Sequence, residues 1–278
     1  MIRRLFKNKE NLLIIICVVV ILLGIFIWAK VYSWQNEIEL EERLNSFAQI
    51  DNVNYSFDEF YKAVNIEGQS EVSQAILNAT SLYINGNDIH SIDLHVLDCF
   101  KKLNSLEIVN SEIYNTNVIN DLESLELLTL EDVETKEAFS IDNENIKSLS
   151  FENCTFEINY IDTPSLELLS LINMEITESL LDRISSLDAV TSLNINKSTI
   201  DSLEVLAPLK NITDLHMNRT KVVNEDYDKL IMFDKLNAVY LSDNIDRRVL
   251  DFMEDNFKDG DTQTITYFVS KKNNLELR

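Results

Sequence analysis

Leu166-Glu167-Leu168-Leu169-Ser170-Leu171-Ile172-Asn173-Met174-Glu175-Ile176 carries the frame that decides this fold. An apolar residue is followed three positions later by a second and two further on by a third, and a fourth comes after a turn. Read outward from there, the frame occurs eight times between Ala79 and Asp246. Its first positions are Ala79, Leu103, Leu125, Ile146, Leu166, Val190, Ile212 and Leu236. Its second are Leu82, Leu106, Leu128, Leu149, Leu169, Leu193, Leu215 and Val239, and its third Ile84, Ile108, Leu130, Phe151, Leu171, Ile195, Met217 and Leu241. Successive repeats are offset by 24, 22, 21, 20, 24, 22 and 24 residues, and the chain is 45% hydrophobic. Chance would place apolar residues at all of these positions about once in 10⁸ trials.

Each unit reads as a short strand with alternate side chains pointing inward, a turn, and a returning segment. A single unit cannot bury its apolar face, whereas stacked units align their leucines and bury a continuous core. The fourth apolar position is held by Ile89, Ile113, Phe156, Ile176, Ile200 and Val222, and it lapses at Thr135 and Asp246.

On these residues the chain resembles leucine-rich-repeat proteins, and its repeats of 20 to 24 residues resemble the short-repeat, bacterial, internalin-like type. The resemblance covers about 200 of the 278 residues. It implies an α/β solenoid: a right-handed superhelix with a parallel concave sheet and a mixed helical and irregular convex side. Such proteins place an asparagine where the strand turns. Here that position reads Asn87, Ser111, Val133, Cys154, Met174, Ser198, Thr220 and Asn244. Val133 and Met174 cannot hydrogen-bond there, so the middle of the solenoid is expected to be less regular than its ends.

Residues 12–29 are an unbroken apolar run preceded by Arg3, Arg4, Lys7 and Lys9. At 1.5 Å per residue the run spans about 27 Å, enough for a hydrocarbon core, and the basic flank marks a cytoplasmic side. Trp28, Tyr32 and Trp34 would lie in the outer interfacial belt. A cleaved signal peptide is the alternative, but residues 29–34 make a poor cleavage site. The expected order is a cytoplasmic tail (1–11), a single-pass signal anchor (12–29), a juxtamembrane helical stalk and cap (30–65), and an extracytoplasmic repeat domain (66–278). Within these, helix is expected to residue 49, a bend over 52–56, and capping helices over 57–64 and 70–77. A helix over 247–257, a last strand over 264–269 and a frayed tail are expected at the other end. Returning segments 177–187 and 224–236 have helical spacing, while 136–145 and 157–165 read as irregular.

Beyond residue 30 the chain holds 19 basic and 46 acidic residues, a formal −27. That charge argues against nucleic acid and anionic head groups as partners; it reads first as a solvated surface, with attraction to a basic protein partner as the sharper alternative. Cys17, Cys99 and Cys154 give neither a disulfide framework nor metal spacing. An exported protein without structural disulfides suits a bacterial envelope.

Candidate binding residues are those the core does not need. Strand residues between the ladder leucines form rows across the concave face. The central row runs Tyr83, Glu107, Thr129, Ser150, Ser170, Asn194, His216, Tyr240. The row before it runs Ser81, Ser105, Leu127, Ser148, Leu168, Ser192, Asp214, Ala238, and the row after it Asn85, Val109, Glu131, Glu152, Ile172, Asn196, Asn218, Ser242. Two patches emerge. Asn194, Asn196, Asp214, His216, Asn218 and Tyr240 cluster towards the C-terminus, flanked by Lys197 and Arg219. In the middle, Leu127, Leu168, Ile172 and Val109 present aliphatic groups beside Glu131 and Glu152. Tyr83 and Glu107 complete the candidate partner-binding set.

Catalysis is not expected. There are three histidines and four glycines, so no loop can cradle phosphate, and His216 has no nucleophile placed by the frame. Asp214 beside His216 could imitate a general-base pair, but a partner contact explains both residues more simply. No metal, cofactor or small-molecule substrate is indicated. The sequence therefore points to a membrane-anchored module that binds a protein at the cell surface. An immunity protein neutralising a basic secreted toxin and a scaffold of an envelope complex are the alternatives.

Overall fold

The computed structural model describes residues 47–64, 71–86, 91–184, 187–242, 248–249, 251, 266–271 and 274–277, within one compact unit, Ser46–Arg278. The expected anchor (12–29), the stalk up to residue 46, Asn87, Ile89, Asn244 and most of the expected helix over 247–257 lie outside the described residues. Among the described residues no helix is long and apolar enough to cross a membrane.

The first described elements are a hairpin, β1 (Phe47–Ile50) and β2 (Val53–Ser56), followed by helices α1 (Phe57–Val64) and α2 (Glu71–Asn78). The helix expected to run to residue 49 is thus strand over its last three positions, and the expected bend is confined to Asp51 and Asn52, both with positive φ. Pairing explains the difference: β1 lies antiparallel against the first rung, with Ala48 opposite Ile84 and Ile50 opposite Leu82. Ala48 and Ile50 are buried there. Asp51 anchors the hairpin, its carboxylate accepting from Thr80 N, Thr80 Oγ1 and Ser81 N at 2.9–3.0 Å. Ser56 and Glu59 cap α1 reciprocally, each side chain accepting from the other's backbone N–H. Phe57 and Phe60 then seal the core end, with Phe60 against Phe100.

Rungs and returning segments alternate from there: β3 (Ser81–Asn85), β4 (Ile92–Asp93), β5 (Ser105–Tyr114), β6 (Leu127–Thr135), β7 (Phe139–Asp142), β8 (Ser148–Glu152), β9 (Ile158–Asp162) and β10 (Leu168–Ile172). Next come β11 (Glu175–Ile176), α3 (Glu178–Leu181), β12 (Ser192–Asn194), β13 (Thr199–Ile200), β14 (Asp214–His216), β15 (Lys221–Val222) and β16 (Ala238–Ser242). β17 (Thr266–Lys271) adds a parallel strand on β16, and β18 (Asn274–Leu277) turns back antiparallel on β17. The segment expected to fray therefore pairs as an edge strand.

The concave sheet has the order β18-β17-β16-β14-β12-β10-β8-β6-β5-β3-β1-β2, parallel from β17 to β3. Its register follows the eightfold frame without a slip: Leu82, Leu106, Leu128, Leu149, Leu169, Leu193, Leu215 and Val239 align rung by rung. Every residue at the three ladder positions is at most 3% exposed. Rungs open alike. The carbonyls of Thr80, Asn104, Glu126, Lys147, Glu167, Thr191 and Thr213 each accept from two consecutive N–H groups of the next repeat, at 2.7–3.2 Å. Backbone groups are thus satisfied between repeats rather than within them.

The turns correct an expectation. Asn110, Asp132, Asn153, Asn173, Lys197 and Arg219, two residues after the third ladder position, all have φ between 52° and 61°. Asparagine and aspartate tolerate this left-handed conformation better than other non-glycine residues. Their side chains also bond one another: Asn153 Nδ2 donates to Asp132 Oδ1, and Asn173 Nδ2 to Asn153 Oδ1 at 2.9 Å. A polar ladder therefore stands one position before Val133 and Met174 and supports the very repeats expected to be irregular. Strands β5 and β6 are the longest of the sheet's rungs, at 10 and 9 residues, while β12 and β14 have 3 each. In the first repeat the same place is Gly86, where a Cβ would collide with Ser111 Oγ.

At the following position, hydroxyls and a thiol stitch one repeat to the last. Cys154 Sγ donates to Leu130 O, Ser198 Oγ to Leu171 O at 2.6 Å, and Thr220 Oγ1 to Ile195 O at 2.6 Å. Ser198 Oγ also accepts from Met174 N at 3.1 Å, which supplies what the methionine lacks. Burial pushes the Cys154 thiol up to about 11, so it remains a protonated donor.

The convex side differs from expectation too. Among the described residues of 177–187 the helix is the four-residue α3, and 224–236 hold a 3₁₀ turn, Tyr227–Met232. The third and fourth returning segments are extended instead. β7 and β9 pair in parallel, and β11, β13 and β15 form a second outer sheet. Phe139, which replaces the missing apolar group at Thr135, packs with Phe151 and Phe156 at ring distances of 4.8–5.5 Å.

Candidate functional site

The concave face brings the candidate rows together in the expected order. Tyr83 lies beside Glu107, and Glu107 beside Thr129. Leu127 and Leu168 flank Ser148. Glu131, Glu152 and Ile172 stand side by side, as do Asn194, His216 and Tyr240. Asp214 falls in the same row as the two leucines, next to Ser192 and Ala238. Register continues to Tyr240 opposite Phe268, one rung beyond the last repeat.

Leu127 and Leu168 are 43% and 38% exposed, and Ile172 is half-buried. Val109, read as aliphatic surface, is only 5% exposed. It lies between Asn85 and Glu131 on the neighbouring rungs. Ser170 on the central row is also buried, at 5%, between the larger Leu168, Ile172 and Asn194 around it.

Carboxylates crowd the row after the centre. Burial, then Glu152, Asp132 and Glu107, raise the Glu131 carboxyl above its ordinary range. Glu152 is met by Lys197, Nζ to Oε1 3.0 Å. Tyr83 is likewise raised, by burial and by Glu107.

The C-terminal patch divides into two kinds of residue. His216 and Tyr240 stack face to face, centroids 4.0 Å apart and planes within 2°. Burial lowers the His216 pKa, against an opposing pull from Asp214. The stacked imidazole is therefore neutral at physiological pH. Asn194 and Asn196, by contrast, are occupied with the backbone. Asn194 Oδ1 accepts from Asn196 N at 3.1 Å and Asn196 Oδ1 from Asn218 N at 2.7 Å. They hold the turn of short rungs β12 and β14, and Asp214 accepts from Thr213 Oγ1 at 2.6 Å. Asn218 Oδ1 is buried. Asn194, Asn196, Asp214, His216, Asn218 and Tyr240 all remain half-buried on this face.

The left-handed row escaped the sequence reading, although Asn110, Asp132, Asn153 and Asn173 share one offset from the ladder. Among the described residues no group of three or more His, Cys, Asp or Glu side chains is placed to hold a metal ion.

Rungs at 20 to 24 residues, three buried apolar positions in each and a parallel sheet fit a leucine-rich-repeat type of solenoid. No protein-family model matches the chain, and no curated protein matches it. Among solved structures it is similar to internalin C2 from Listeria monocytogenes str. 4b F2365, at 16% identity over 66% of this chain and 91% of that one, with a TM-score of 0.40. It is also similar to an internalin F of the same strain, at 12% identity over 78% and 90%, with a TM-score of 0.26. No residue here takes a role from either.

Proposed function

We propose that the chain is a membrane-anchored, extracytoplasmic binding module, without catalytic activity, that recognises a protein through its concave face. The observation that carries this reading is the pair Leu127 and Leu168, exposed at 43% and 38% on a sheet face that takes no part in closing the core. Aliphatic groups left in water beside a complete core mark a contact surface. The stacked His216–Tyr240 pair adds a rigid aromatic anchor on the same face. The formal −27 beyond residue 30 favours a basic partner, and so keeps open the reading as an inhibitor of a basic secreted toxin.

The test is crosslinking of the full-length chain in its native membrane, comparing wild type with the triple variant Tyr83→Ala/His216→Ala/Tyr240→Ala. Loss of one specific adduct in the variant is expected. Equal recovery of the same adduct from both proteins would sink the concave-face assignment. Protease added to intact cells should degrade the repeat domain, and protection of that domain would reverse the topology.

A further inference from the structure

The middle of the concave face is a trough with two unlike walls. Its floor is the central row on β6, β8 and β10, where Thr129, Ser150 and Ser170 are all short. One wall carries Leu127, Ser148 and Leu168, and the other Glu131, Glu152 and Ile172. Leu127 and Glu131 are four residues apart on one strand, about 13 Å at 3.3 Å per residue. An α-helix with its side chains is about 10–12 Å across. Leu127 and Leu168 are two rungs apart, about 9.6 Å, close to the roughly 10.8 Å of two helical turns. The trough thus matches a helix in width and in the repeat of its aliphatic wall.

Charge sets the polarity of the occupant. Lys197 answers Glu152, but among the described residues no ion pair is made by Glu131 or Glu107, which stand on adjacent strands near it. Burial first, and then the charges of Glu152, Asp132 and Glu107, hold the Glu131 carboxyl above its ordinary range against a pull from Lys197, and a cation placed there would relieve the repulsive part. An anionic or wholly apolar occupant would leave it in place.

We infer that this trough takes a basic amphipathic α-helix of a partner protein, lying across β6, β8 and β10. Its aliphatic edge meets Leu127 and Leu168, and its Lys or Arg edge meets Glu131 and Glu152. The inference rests on the concave-face reading and adds the chemistry of the partner.

The probe is a fluorescein-labelled synthetic 18-residue helix of Leu, Lys and Ala, with Leu along one edge and Lys along the next. Anisotropy is read against the full-length chain in detergent. Two control peptides replace every Lys by Glu or every Leu by Ser. The Lys/Leu helix should bind and both controls should bind more weakly, by roughly tenfold or more. Glu131→Gln/Glu152→Gln should lose roughly tenfold and flatten the salt dependence, while Leu127→Ser/Leu168→Ser should lose a similar factor and keep the salt slope. Thermal midpoints taken in parallel exclude unfolding, and Glu131→Lys is a second, surface-only variant expected to abolish binding. Equal binding of the Glu helix, or both double variants within twofold of wild type, overturns the inference. These substitutions avoid Tyr83, His216 and Tyr240. If the trough variants bind the probe unchanged while the triple alanine variant still loses its adduct, only the partner chemistry falls.

Discussion

The repeats from β5 to β10 and those from β12 to β16 have the same ladder and solve the turn differently. In the first group, polar side chains bond one another along the solenoid, Asp132 to Asn153 to Asn173, and at the next position, held by Val133, Cys154 and Met174, the thiol alone bonds the preceding repeat through its side chain. In the second, Lys197 and Arg219 occupy the left-handed position with side chains that do not continue that ladder, and Ser198 and Thr220 take over with hydroxyl bonds to the preceding repeat. Strands β5 and β6 of the first group have 10 and 9 residues, whereas β12 and β14 of the second have three each. A turn has to be satisfied once per repeat, and either of two adjacent positions can do it. Sites freed from that duty are then open to other chemistry.

Three pairs of substitutions test this contrast, each read by chemical or thermal unfolding, and a titration of His216 follows them. The largest effect is expected from Phe151→Ala, which removes the centre of the Phe139–Phe151–Phe156 cluster and should cost about 3–5 kcal/mol. Met217→Ala, at the same ladder position in the second group, should cost less, and the reverse order would contradict the greater order of the middle repeats. Ser198→Ala strands Leu171 O and Met174 N in a buried site and should cost about 1–3 kcal/mol. Cys154→Ser, which supplies a hydroxyl at the equivalent place, should change stability by less than about 1 kcal/mol. Asn153→Ala breaks the polar ladder at a residue with φ 54° and should cost about 1–2 kcal/mol, against about 0.5 or less for Arg219→Ala. Equal costs would show that the ladder contributes nothing.

The smallest effect concerns His216. Its folded pKa is lowered from 6.5 by burial, so protonation is resisted by the folded state. The associated stability is present above pH 6.5 and is lost as pH falls below it towards the folded value. His216→Gln should remove that dependence. Because the ring is half-buried, the change is expected to be a fraction of that from Asn153→Ala, and an unaltered pH profile would count against the burial of the stacked pair.

The periodic part of the fold was fully legible, because burying 24 ladder positions imposes a spacing that no other constraint blurs. Register came with it, so the rows through Tyr83, Leu127, Glu131 and Tyr240 fall where the frame puts them. What was illegible was local. Val109 reads as outward-facing by alternation, yet it is buried between Asn85 and Glu131. Asn194 and Asn196 read as recognition groups, but a three-residue strand needs their side chains for its turn. The extended β7 and β9 have no periodic signature of their own, and Phe139 is four residues late for the frame.

The two hairpins that close the concave sheet have one more consequence. A stack of parallel repeats has no intrinsic reason to stop, since each rung templates the next. Here β1 and β18 run against the strands they cover, so the outermost parallel rungs, β3 and β17, are each closed by a strand of opposite direction. Nine parallel strands from β3 to β17 therefore set a ruler of eight intervals, about 38 Å. Whatever lies along the concave face is measured against that fixed length.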